Sequence, residues 1–131
     1  LLHECPHATG LGTDIEPLAL ETAHANAAAL GLQSRTGFVL ADFSTALNET
    51  FDLVVSNPPY IPTAEIGSLA TEVRDHDPLR GLDGGVDGLD AYRAIAREAP
   101  HLLHDDGVLI VEIGAGQSGA VAAILTGGGL E

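Results

Sequence analysis

Residues Phe51 to Ser56 form a nearly continuous apolar run that breaks abruptly at Asn57-Pro58-Pro59-Tyr60. A strand with one wet face alternates apolar and polar side chains, whereas a continuous run implies burial on both faces, as in a parallel sheet covered by helices. The rest of the chain keeps a compatible rhythm: short apolar runs ending in Asp, Asn or Gly alternate with longer alanine-rich stretches of helical period. That is the β/α pattern. Ala8 to Asp14 reads as a strand. Pro17 then suits the first turn of a helix, Leu20, Ala23, Ala27 and Leu30 recur at helical spacing, and Gly31 stands where a helix stops. Gly37 to Ala41 reads as a second strand, followed by Asp42 and Phe43.

Beyond the Asn-Pro-Pro-Tyr turn, the stretch from Ile61 to Asp90 reads as irregular, with Pro62, Pro78, Gly81, Gly84, Gly85 and Gly88. Connections this long inside a compact domain usually have a function. A helix is expected from about Asp90 to Leu103, with Tyr92, Ile95, Ala99 and Leu102 on its buried stripe. His104-Asp105-Asp106-Gly107 reads as a turn and Val108 to Ile113 as the last strand; Gly114-Ala115-Gly116, read as a turn, leads into a short helix through about Leu125. There is no repeat and no sign of a second domain, so residues 1–131 are expected to form a single domain.

Composition narrows the function. At 131 residues and 45% hydrophobic content the chain can bury a core. Nineteen acidic residues against five basic ones, with no lysine, give a net charge of -14, which disfavours duplex DNA or an anionic membrane surface as a partner. A single cysteine, Cys5, leaves no internal disulfide and suggests a reduced, cytoplasmic protein. No apolar run approaches the roughly 18 residues of a membrane span, and the opening Leu-Leu-His-Glu does not read as a signal peptide. The six histidines are scattered, and no metal site is expected from them.

The candidate chemistry lies where strands end, the edge at which open α/β sheets bind ligands. Asp14 can accept hydrogen bonds from the two hydroxyls of a ribose, or simply cap the following helix. Asp42 can accept from an adenine amino group with Phe43 against the ring, or the pair can be a cap and a core aromatic. In Asn57-Pro58-Pro59-Tyr60 two prolines hold the chain extended and remove two backbone donors, leaving a stiff ledge rich in acceptors. The Asn57 oxygen and the Pro58 carbonyl can each take one hydrogen of a substrate NH2 while Tyr60 packs on the planar group; the plainer alternative is a rigid turn. Asp83, Asp87 and Asp90 read as solvated or capping acids.

At these residues the chain resembles the class I, Rossmann-like S-adenosylmethionine-dependent methyltransferases. Within them it resembles the PrmC/HemK protein-(glutamine-N5) methyltransferases that modify peptide chain release factors. The likeness rests on Gly12-Thr13-Asp14-Ile15 with Asn26-Ala27, on Ala41-Asp42-Phe43, and on the run from Phe51 to Pro62. Further on it rests on Asp77-Pro78, on Gly84-Gly85-Val86-Asp87-Gly88-Leu89-Asp90-Ala91-Tyr92-Arg93, and on Glu112-Ile113-Gly114 with Gln117. Asn-Pro-Pro-Tyr alone recurs in adenine-N6 methyltransferases of nucleic acids; its combination with Ile61-Pro62 and the Gly-Gly-x-Asp-Gly-Leu-Asp segment marks the protein-glutamine branch.

The resemblance implies that Asp14 holds the cofactor ribose and that Asp42 with Phe43 frames the adenine. It implies that Asn57 touches both cofactor and substrate glutamine, and that Pro58, Pro59 and Tyr60 complete the substrate slot. The implied substrate is the glutamine of a release factor's Gly-Gly-Gln loop, with no direct nucleic-acid or membrane contact. The alternatives are a glutamine of ribosomal protein uL3, or a non-catalytic fragment lacking a complete cofactor site. The family's acid followed by Gly-x-Gly-x-Gly, its N-terminal helical domain and its closing hairpin have no counterpart in this sequence. The expectation is therefore a partial catalytic domain that begins inside the helix after the first strand. That strand would lie between those ending at Asp14 and Ser56. Asp77-Pro78 also departs from the family's Glu-Pro.

Overall fold

The computed structural model describes residues 1–70 and 78–131; Asp77, and with it the Asp77-Pro78 departure, lies outside the described residues. The chain divides into two compact units, Leu1–Asn48 and Glu49–Glu131.

In the first unit β1 (Gly10–Asp14) pairs in parallel with β2 (Thr36–Leu40), and α1 (Pro17–Ala29) makes the crossover between them. Pro17 opens α1 at the position where a missing N–H costs nothing. Gly31, at φ +69°, closes it: the Gly31 N–H donates to Ala28 O at 3.0 Å and the Leu32 N–H to Ala27 O at 2.8 Å. This is the Schellman arrangement that a left-handed residue after the helix permits. Of the four residues expected on the inner stripe of α1 only Ala27 is buried, and Leu30 is 62% exposed. Alanine surrounds this helix on every side, so its sequence defines no single apolar face. The first residues form a turn, with Cys5 N–H donating to Leu1 O, rather than the end of a helix. The Arg35 guanidinium fastens that turn through the carbonyls of Leu2, Cys5 and Ala8 at 2.8, 3.0 and 2.6 Å.

In the second unit β3 (Phe51–Ser56) pairs in parallel with β4 (Leu103–Val111), and α2 (Asp90–Leu102) packs against both strands and against α3 (Ser118–Gly127). The expected stripe is the core here: Tyr92 is fully enclosed, and Ile95, Ala99 and Leu102 are buried with Ala91, Ala96 and Val121. Pro100 lies inside α2 and has no N–H to donate. Gly128, just past α3, packs so closely on the Ala96 carbonyl that a Cβ there would sit 2.5 Å from its oxygen.

Three expectations for this unit need correction. Burial on both faces of β3 does not hold: Leu53 and Val55 are 37% and 55% exposed, and their register partners Val108 and Ile110 are 52% and 53% exposed. Val54, Ser56, Leu109 and Val111, on the opposite face, are half-buried. Among the described residues the unit supplies helices to one face of the pair only. The His104–Gly107 turn is a looped irregularity inside β4, where the register passes from Phe51↔Leu103 to Leu53↔Val108. Gly107 fits because a Cβ there would meet Phe51 O at 2.9 Å and the His104 backbone at 3.0 Å. Finally, the stretch after Tyr60 is more regular than its composition suggests, with 3-10 turns at Thr63–Ser68 and Leu79–Gly81 and a parallel bridge between Ile61 and Asp83. Among the described residues no helix is long and apolar enough to cross a membrane.

Candidate active site

In the second unit the ladder ends at Ser56↔Val111, and the Glu112 N–H donates to Ser56 O at 2.9 Å. Asn57 and Glu112 therefore leave the sheet together at its carboxyl end. Asn57 is exposed, and its side-chain amide makes no hydrogen bond among the described residues. Pro58 is buried and Pro59 half-buried, while the carbonyls of Asn57, Pro58 and Pro59 accept no backbone hydrogen bond among the described residues. The run therefore carries acceptors that have no partner among the described residues.

Beyond the ledge the chain is tied down. The Ile61 N–H donates to Leu82 O at 3.0 Å and the Gly84 N–H to Ile61 O at 2.8 Å; the Thr63 N–H donates to Gly85 O at 2.9 Å. Asp83 accepts from the Thr63 hydroxyl at 2.7 Å and the Gly85 N–H at 3.0 Å, and these two bonds, the hydroxyl's foremost, hold its carboxyl below the usual carboxylate range. Gly84 lies against this run: a Cβ on it would come within 2.8 Å of Tyr60 Cα. Gly88, at φ +73°, touches the Tyr60 carbonyl so closely that no Cβ can be added. Asp87 accepts from the Leu89 N–H and pairs with Arg93, which also reaches Asp90. These acids are exposed turn and helix-start residues, as expected.

The Tyr60 phenol donates to Glu112 Oε1 at 3.2 Å, and this bond, with some burial, pushes its pKa up. The enclosed Tyr92 donates to Glu112 O at 3.0 Å; burial raises its pKa. Gln117, at the start of α3, accepts from the Gly114 N–H at 3.0 Å and donates to the carbonyls of Tyr60 at 3.0 Å and Gly88 at 3.3 Å. Sequence reasoning gave Glu112 and Gln117 no role of their own and read Gly114-Ala115-Gly116 as a turn. The turn is there, with Gly116 at φ +83°. The available signal was a glutamine placed where a helix begins, a position that usually takes Ser, Thr, Asp or Asn.

In the first unit Asp14 ends β1 and Asp42 follows β2 on the adjacent strand, with the Ala41 N–H donating to Asp14 O at 3.0 Å. Asp14 Oδ1 accepts from the Glu16 N–H at 2.8 Å, a turn just ahead of α1 whose first N–H groups it does not cap, and a carboxylate retains further acceptor positions. Asp42 is exposed. Phe43 is half-buried and holds φ +49°, the one non-glycine residue with positive φ among the described residues. For a bulky side chain that conformation costs about 1–2 kcal/mol. Strain of this kind concentrates at ligand sites. His3 and His7 stand four residues apart with Cys5 between them, a spacing that metal ligands use, and all three are exposed. Among the described residues no group of three His, Cys, Asp or Glu side chains is placed to hold a metal.

Each unit thus presents polar acceptors at the carboxyl ends of a parallel strand pair, which defines the class: an α/β protein with candidate ligand groups at its strand ends. Comparison with known proteins supplies the family. The methyltransferase small domain family matches residues 1–73, more than half of the chain, and the chain belongs to that family. It is similar to the release factor glutamine methyltransferase of Bradyrhizobium diazoefficiens, 53% identical over 130 residues, which covers 99% of this chain and 44% of the relative. The protein of the same name from Rhodospirillum rubrum is 53% identical over 130 residues, 99% of this chain and 40% of the relative. The one from Caulobacter vibrioides is 49% identical over 130 residues, 98% of this chain and 45% of the relative. The chain spans less than half the length of these relatives.

Proposed function

We propose that this chain carries the catalytic core of a cytoplasmic protein-glutamine methyltransferase whose substrate is a peptide chain release factor, methylated on the side-chain nitrogen of its Gly-Gly-Gln glutamine. The observation that carries the reading is the contrast at Asn57–Tyr60: amide and carbonyl acceptors with no partner among the described residues, on a run whose far end is fastened by backbone hydrogen bonds. A primary amide has two N–H donors and a flat face, and the Asn57 oxygen, the Pro58 carbonyl and the Tyr60 ring complement those features. The names of the relatives favour a release factor over ribosomal protein uL3.

The residues of the first unit fit S-adenosyl-L-methionine. Asp14 has acceptor capacity for a ribose diol, and Asp42 with the strained Phe43 offers an acceptor and an aromatic face to adenine. When bound, the cofactor supplies a methyl group on a positively charged sulfur; the N–C bond forms as the S–C bond breaks, and the nitrogen releases one proton to water. An amide nitrogen is a weak nucleophile because its lone pair is delocalised. Asn57 and Pro58 help by holding both hydrogens, which fixes the orientation of the nitrogen and its lone pair. The two parallel strand pairs, each with a helical crossover, support the Rossmann-like reading of the fold.

The test is to incubate the chain with methyl-labelled S-adenosyl-L-methionine and a purified release factor, then map the label by peptide mass spectrometry. One added methyl on the Gly-Gly-Gln glutamine is expected. Label on another residue, or none with cofactor bound, would overturn the substrate; no cofactor binding would overturn the catalytic reading of this chain.

A further inference from the structure

The Gln117 side chain uses both ends of its amide. Its oxygen accepts the Gly114 N–H at 3.0 Å, and the Tyr92 hydroxyl lies 3.4 Å away; its nitrogen donates to Tyr60 O at 3.0 Å and Gly88 O at 3.3 Å. The orientation is unambiguous, since a flipped amide would set its oxygen against two carbonyls and its NH2 against an N–H. These bonds cross 57 residues to Tyr60 and 29 to Gly88. They tie three pieces of backbone together: the last residue of the Asn-Pro-Pro-Tyr run, the glycine-rich turn and the Gly114 turn that follows β4. The glycines permit it, because a Cβ at Gly114 would sit 2.6 Å from Gln117 Oε1 and one at Gly88 2.8 Å from Nε2.

Resting on the function proposed above, we infer that Gln117 is a positioning residue for the substrate amide: its two donors fix the Tyr60 and Gly88 carbonyls and so set the direction of the Pro58–Tyr60 acceptors. Gln117 reaches the substrate only through that run. A prolyl segment has few backbone donors with which to hold itself, so its orientation depends on bonds supplied from elsewhere. The Tyr60 carbonyl is the first acceptor after the prolines that another side chain holds.

Two variants separate this role from general stabilisation. Gln117→Glu keeps the size and both acceptor contacts but turns the donor end into a charge facing two carbonyls, and Gln117→Ala removes both ends. In methyl transfer to a release factor, each should lower kcat about tenfold or more, with KM for the release factor changed less than about threefold and S-adenosyl-L-methionine affinity within about twofold. A kcat within twofold of the unsubstituted chain would overturn the inference.

Hydrogen exchange decides the question without turnover. The Ile61, Thr63 and Gly84 amides, which close the run against the glycine-rich turn, should exchange at least about tenfold faster in Gln117→Ala than in the unsubstituted chain, while Val54 and Ile110 in the strand ladder keep their rates. Unchanged rates at all five, or equal acceleration of all five, would overturn the positioning role. If the unsubstituted chain transfers no methyl group, the proposed function fails and this exchange comparison still tests the clamp.

Discussion

The two units hold their candidate ligand groups in different ways. In the first, the Asp14 carboxylate is tied by one local bond to a backbone two residues away, Asp42 is exposed, and Phe43 is held in a costly backbone conformation. In the second, the Asn57–Tyr60 run is fixed by partners 20 or more residues distant: Ile61 to Leu82, Thr63 to Gly85, Tyr60 to Glu112 and Gln117. One local bond leaves a carboxylate with acceptor positions for the proposed nucleoside. A cross-linked ledge is arranged before any substrate arrives, and that is what activating a poor nucleophile requires. The difference is the one the proposed function needs, with cofactor acceptors in the first unit and fixed substrate acceptors in the second.

The largest effect that tests this contrast is on stability. Gly88 and Gly31 share positive φ, but a Cβ at Gly88 overlaps the Tyr60 carbonyl, whereas at Gly31 nothing lies within 4 Å. Gly88→Ala should therefore cost about 3 kcal/mol and Gly31→Ala about 1 kcal/mol in denaturant unfolding. Equal costs would mean the glycine-rich turn is not packed as described. Next, Asn57→Ala should lower turnover at least about tenfold while leaving most cofactor affinity intact. Near-normal turnover removes Asn57 from the chemistry.

Asp14→Ala should do the reverse, weakening S-adenosyl-L-methionine binding by about tenfold, the loss expected for a hydrogen-bonded charged acceptor, as read by calorimetry. Unchanged affinity leaves Asp14 with only its bond to the Glu16 N–H ahead of α1. The smallest effect is spectroscopic. The chain has two tyrosines and no tryptophan, so phenolate absorbance reports Tyr60 and Tyr92 alone; both should titrate above the ordinary value of 10.0. A raised phenol pKa means that the stability it contributes is complete below the ordinary value and is lost as pH rises through the raised one. Tyr60→Phe should leave a single transition, still raised. If the transition lost in Tyr60→Phe lies at the ordinary value, the Tyr60–Glu112 contact is not made.

Local chemistry was readable from the sequence wherever a residue acts on its neighbours. Pro17 and Gly31 bound α1, Tyr92, Ile95, Ala99 and Leu102 line the core, and two prolines make the ledge. Patterns that assume a surrounding structure misled: the apolar run of β3 called for two covered faces, and Leu53 and Val55 are exposed. His104–Gly107 has the composition of a turn, yet the strand continues around it because Leu103 still pairs with Phe51. In the site, Asn57–Tyr60 stood out through its unusual backbone chemistry. Gln117 did not, because nothing near it in sequence says that its amide reaches Tyr60, and only the folded chain brings the two together.

The slack inside β4 also bears on how the chain can be altered. Leu103 and Val108 are both in register with β3, so the residues looped between them contribute length without setting alignment. Asp105 and Asp106 are exposed there. An insertion or a reporter group at Asp105–Asp106 is absorbed before the ladder resumes at Val108, and Glu112 and Gln117 keep their places. The loop is a natural port for labelling this unit at the opposite end of its sheet from the ledge.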